Sequence, residues 1–142
     1  MSKFLIITLF ISISIAYFVF RYLRFKRKLK NEIENYKKNR EYFSIEKLYE
    51  ELNDEIFIKK DLFYNIINCI YEEFDLGIAG YLRLDDNLAT DLSFIWKFYD
   101  EMKDIELIEA LESNFNIKIS NIDAENVKTV RDLIYLVNRK IV

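Results

Sequence analysis

Carboxylates are the most abundant reactive groups in this 142-residue chain, twenty-four Asp and Glu beside twenty-one Lys and Arg, with no His and a single Cys, Cys69. Without His, Ser–His and Cys–His nucleophile pairs lack their base and the common zinc sites lack a ligand. A lone Cys builds neither a disulfide framework nor a multi-cysteine metal site; Cys69 reads as a small buried hydrophobe. Paired carboxylates do acid–base work when their surroundings hold their pKa values apart, but no motif here selects a pair. Asp85, Asp86 and Asp91 follow Gly77 and Gly80. Their spacing lacks the alternating oxygen ligands, central Gly and terminal Glu of a calcium loop, so they read as loop and cap residues. No catalytic residue, cofactor ligand or metal site is assigned, and the chain is not expected to be an enzyme.

The charges are segregated. Residues 21–40 hold nine Lys and Arg against two Glu, a balance of +7, whereas residues 41–142 carry a balance of −11. Before this basic collar lies FLIITLFISISIAYFVF (4–20), seventeen residues without a charge. Extended to Leu23 it reaches about 30 Å as a helix, the thickness of a bilayer core. Thr8, Ser12 and Ser14 are tolerable there because a hydroxyl bonds back to the carbonyl one turn earlier. Lys3 precedes the run, and Arg21, Arg24, Lys26, Arg27, Lys28 and Lys30 follow it. By the positive-inside rule the expectation is a single-pass anchor in the inner (cytoplasmic) membrane, N-terminus outside. A cleaved signal peptide fits less well, since the apolar run continues past Ala16 and the cations lie on the wrong side. Topology and anionic headgroups account for the collar, and no nucleic-acid partner is expected.

With no Pro and two Gly, the rest reads as helical. Three segments are expected: an anchor (1–23), a basic helical stalk (24–55) with little sign of a core of its own, and a helical domain (56–142). Within the stalk, Ser44 is placed as N-cap of a helix over 45–52 that ends at Asn53-Asp54. In the domain, Leu62, Ile66, Ile67, Ile70 and Phe74 form one apolar stripe, followed by a long loop. A helix over 100–115 turns Leu107, Ile108, Leu111 and Phe115 inward. After a short turn over 121–127, Thr129 caps a last helix with Val130, Leu133, Ile134 and Val137 inward. The expected core is Leu62, Ile66, Ile70, Leu107, Leu111, Phe115, Leu133 and Ile134.

That order, with DDNLATDL (85–92), ELIEALESNFNIKI (106–119) and DAENVKTVRDLIYLV (123–137), resembles the acyl carrier protein family over about half the chain. The resemblance implies an all-α fold: an acyl-carrier-like four-helix bundle behind the transmembrane helix and its stalk. It also implies an Asp-Ser-Leu motif whose hydroxyl takes 4′-phosphopantetheine, and here this chain departs from it. The matching residues are Asp100-Glu101-Met102, and about five extra residues lie within SFIWKFYDE (93–101). Ser93, the nearest hydroxyl, lies eight positions early and reads as a cap of an enlarged helix start. Phe94, Ile95, Trp96, Phe98 and Tyr99 are expected to pack over the bundle.

What the resemblance leaves is a docking face, Glu101, Met102, Asp104, Ile105, Glu109 and Glu112, acidic around apolar anchors and suited to a protein with a basic groove. The expected function is a membrane-anchored, non-catalytic binding module of adaptor or immunity type, without a cofactor. A tethered acyl carrier with an irregular attachment serine, or a structural subunit of a membrane complex, is the alternative. N-terminal sequencing of protein from the membrane fraction is expected to start at Met1 or Ser2. A mature start near Tyr17, or protease access to the helical domain from outside, contradicts the anchor.

Overall fold

The computed structural model describes residues 3–74, 77–98 and 103–141, and the regular elements among them are all helical. Seven α-helices follow in order: α1 (Lys3–Lys37), α2 (Ile45–Asn53), α3 (Lys60–Phe74), α4 (Ser93–Phe98), α5 (Lys103–Phe115), α6 (Asn121–Asn126) and α7 (Val130–Ile141). A 3-10 turn, Ala79–Tyr81, lies in the loop after α3.

α1 runs unbroken for 35 residues, about 52 Å at the helical rise. None of the described residues covers its apolar first half, which is long and apolar enough to cross a membrane; Phe10 and Phe18 are 70% and 69% exposed. The Ser12 hydroxyl donates to the Thr8 carbonyl at 2.8 Å, so this polar group is satisfied within the helix. The second half differs. Phe25, Leu29, Ile33 and Tyr36, spaced by three and four, share a face turned toward the bundle. Leu29, Ile33 and Tyr36 pack on its core, and the Phe25 ring meets Phe98 edge-on at 5.5 Å. The stalk segment has no separate core here but joins the core of the bundle on this face. α2 joins it too, with Leu48 and Leu52 fully buried. α2 begins where its cap was read: the Ser44 side chain accepts from the Lys47 N–H.

Behind these helices α3, α5 and α7 enclose the core, with Phe63, Ile66, Ile67, Ile70, Leu107, Leu111, Leu133, Ile134 and Val137 buried. Two expected core positions, Leu62 and Phe115, are only half-buried. In α3 the stripe over Ile66, Ile67, Ile70 and Phe74 is buried as expected, but at its start Phe63 rather than Leu62 points inward, against Tyr49. Cys69 is buried as expected, its thiol pushed up by burial, and accepts from the Asn114 side chain. The last two helices start on reciprocal caps. Ser120 and Asp123 form a capping box on α6. On α7 the Thr129 side chain accepts from the Asp132 N–H while Asp132 accepts from the Thr129 N–H.

The long loop after α3 is pinned from both sides. Asp86, 4% exposed, pairs with Arg40 at 2.7 Å, accepts from the Tyr36 hydroxyl at 2.6 Å, and accepts from its own loop's Arg83 N–H at 2.7 Å. Tyr36 and Arg40 follow from α1, so the loop is fastened to that helix's end. Backbone bonds from Val130 to Asp86 and from Arg131 to Leu84 fasten the same loop to α7. Arg131 also reaches Glu51, Glu55 and Asp85, joining α2 to α7. At Gly80 a Cβ would lie 2.0 Å from the Tyr42 ring, so only glycine lets the loop come that close.

Leu111 is fully buried at the centre of α5. Leu111→Ala is expected to destabilise the folded protein by about 2–5 kcal/mol in denaturant unfolding, the range for a leucine cavity. A change below about 0.5 kcal/mol would remove Leu111 from the core.

Candidate functional site

An apolar recess lies between α5 and α6. It is a cavity of about 700 Å³, open on one side, and its walls include Leu88, Trp96, Ile105, Ile108, Val127 and Leu133. α5 supplies one wall because its apolar residues wrap more than one face: Leu107 and Leu111 are buried, Ile108 is half-buried and Ile105 remains 45% exposed. α6 supplies the other, set by its capping box and by the β-bridge between Asn87 and Thr129 at its far end.

Of the six residues proposed for the docking face, Asp104, Ile105 and Glu109 come together on this recess. Asp104 and Glu109 stand exposed beside Ile105, making an acidic rim around an apolar anchor. Glu112, one turn beyond Glu109, is engaged elsewhere. Its carboxylate accepts from the Ile119 N–H at 2.7 Å and pairs with Lys118 at 3.3 Å. The Ile119 N–H, more than Lys118, holds that carboxyl below the usual carboxylate range. Glu112 thus closes the turn after α5. Glu101 and Met102, with Tyr99 and Asp100, lie outside the described residues.

Before α5, residues 93–98 form α4, and Ser93, read as a cap, is its first residue. Phe94 and Ile95 are buried, as expected of a packing segment. The Trp96 indole donates to the Leu88 carbonyl at 2.5 Å and its ring meets Phe74 edge-on. α4 also grips α1: Phe94 lies against Tyr36 at 5.3 Å and Phe98 against Phe25 at 5.5 Å. These contacts run along α1 back toward its apolar half. Sequence reasoning missed this grip, although the spacing Phe25, Leu29, Ile33, Tyr36 was there to be read beneath the surrounding cations.

The collar cations Arg21, Arg24, Lys26, Arg27, Lys28 and Lys30 are all exposed. Arg21 lies over the Tyr17 ring at 5.9 Å and Lys26 over Tyr22 at 5.0 Å. These are cations resting on aromatic faces next to the apolar run.

No family model matches the chain. It is 31% identical over 84 residues to an acyl carrier protein from Cyanidium caldarium, an overlap covering 58% of this chain and 90% of that protein. It is 40% identical over 74 residues to an acyl carrier protein from Thermosynechococcus vestitus, covering 51% of this chain and 91% of that protein.

A phosphopantetheine arm needs a hydroxyl at the start of the second carrier helix, and the residues present do not fit it. Position 101, which the resemblance aligns with the attachment serine, holds a carboxylate, and that group cannot serve as the oxygen nucleophile. Ser93 begins α4, its hydroxyl is 3.3 Å from the Lys97 ammonium, and it lines a separate polar notch with Glu32, Asn39 and Arg40 on the α1 side. Intact mass after co-expression with a broad-specificity phosphopantetheinyl transferase is expected to be that of the unmodified chain. An added arm on Ser93 would make the protein a working carrier.

Proposed function

The chain belongs to the acyl carrier protein family, and from that premise we propose that it is a membrane-anchored, carrier-like binding module that engages a protein partner without carrying a prosthetic group. One observation supports this most. The attachment position is a carboxylate, while the face beside it keeps an exposed apolar anchor, Ile105, between Asp104 and Glu109. In this reading the module has lost the carrier's chemistry and kept its capacity to dock.

Membrane anchoring rests on the uncovered apolar half of α1 and on its one-sided cations. The orientation that follows has the bundle on the cytoplasmic side. The partner surface is basic, because carboxylates around an apolar centre steer a cationic surface to it and repel an acidic one. Adaptor and immunity roles both fit such a module, with no catalytic residue needed.

A photo-crosslinking side chain at Ile105 in intact membranes tests the reading. It is expected to give a discrete adduct that weakens as salt rises and is lost in the Asp104→Lys, Glu109→Lys background. The same probe at exposed Lys59 should give none. Equal labelling at both positions would contradict a docking face on α5.

A further inference from the structure

We infer that the basic collar of α1 and the acidic rim of α5 are two halves of one interface, closed between neighbouring copies of this chain in the same membrane. The inference rests on the anchored, α5-docking reading above and names the partner: a second copy. The collar has charge to spare. Among the described residues Arg24, Arg27, Lys28 and Lys30 make no ion pair and no ring contact, and all are exposed. The rim has charge of the opposite sign at Asp104 and Glu109, neither of which forms an ion pair among the described residues.

Height makes the two complementary. Phe98 lies against Phe25 and Phe94 against Tyr36, so α4 occupies the level of α1 residues 25–36. Trp96, between them, lines the same recess as Asp104, Ile105 and Glu109. The rim is therefore held near the level of the collar. Because α1 is one unbroken helix, every copy anchored by it in a given orientation stands at the same height. Lateral diffusion alone then brings one copy's collar to another's rim.

The contact cannot close within one chain. Phe25, Leu29, Ile33 and Tyr36 turn one side of α1 to its own bundle. At about 100° per residue, Arg24, Arg27 and Lys28 fall on the flanks and back of the helix, away from that stripe. The long apolar stems of Arg and Lys are suited to cover Ile105 while their heads meet the carboxylates.

The test uses the full chain in native membranes, co-expressed with two different tags. Zero-length carbodiimide coupling is expected to join Lys28 or Lys30 of one copy to Asp104 or Glu109 of another. Copurification of the two tags should fall as salt rises. Arg27→Glu with Lys28→Glu leaves four collar cations to hold the orientation, and should cut copurification on the order of tenfold. Asp104→Lys with Glu109→Lys should do the same. Combining one tagged copy of each variant should restore it, since each pairing of collar with rim is then opposite in sign between copies. Protein that fractionates with membranes yet gives no coupling between copies overturns the inference. An Ile105 photo-adduct on a different polypeptide would also overturn it while leaving the docking reading standing, whereas absence from the membrane fraction overturns both.

Discussion

Asp86 is the one charged residue buried in the core among the described residues, and the arrangement of the helices depends on how its charge is met. A carboxylate taken out of water is tolerated only when paired and fully hydrogen-bonded. Arg40, the Tyr36 hydroxyl and the Arg83 N–H meet it here. Removing one partner from such a site costs about 3–5 kcal/mol, because the other charge is left buried. The knot joins the end of α1 to the long loop, and that loop is bonded in turn to the start of α7. The Tyr36 hydroxyl, donating to Asp86 from a half-buried position, is held protonated well above its ordinary value, first by burial and then by that bond. The long apolar helix is thereby a fixed part of the bundle.

The segment that departs from the carrier pattern serves the same end. The extra residues before α5 build α4, which fills space with Phe94 and Ile95, anchors Trp96 to the Leu88 carbonyl, and braces α1 through Phe94 and Phe98. In sequence this segment runs up to Glu101, the carboxylate that the carrier resemblance aligns with the attachment serine. In the proposed reading, a module without the arm gains from this brace, because a rigidly held bundle presents its contact face at constant height.

Much of this was legible because it follows local rules. Ser44 and Thr129 are cap residues ahead of apolar periodicity, and both cap where their side chains dictate. The three matched segments, with their apolar and acidic positions in step, carried the family resemblance. What escaped depends on tertiary partners. Nothing in sequence separates a buried Asp86 from its exposed neighbour Asp85, because the difference lies in Arg40 and Tyr36, more than forty residues away. At the start of α3 both Leu62 and Phe63 fit the helical spacing of the stripe, and Phe63 is the one that meets Tyr49 of α2. Glu112 reads as one more exposed acid until the chain turns back and offers it the Ile119 N–H. The stripe Phe25–Tyr36 was masked by the cations around it.

The central claim is that α1 holds the bundle at the membrane surface without a flexible linker. Phe25 follows Leu23 by two residues, about 3 Å along the helix, and Trp96 lies beside the stretch of α1 that ends at Tyr36, about 20 Å beyond Leu23. Trp96 is the only tryptophan in the chain. Energy transfer from it to an acceptor on lipid headgroups, in vesicles containing the full protein, therefore reads its height without further labelling. The account predicts efficient transfer that persists at high salt and falls when Phe25→Asp breaks the brace. Weak transfer in the unaltered protein, unchanged by Phe25→Asp, would contradict it.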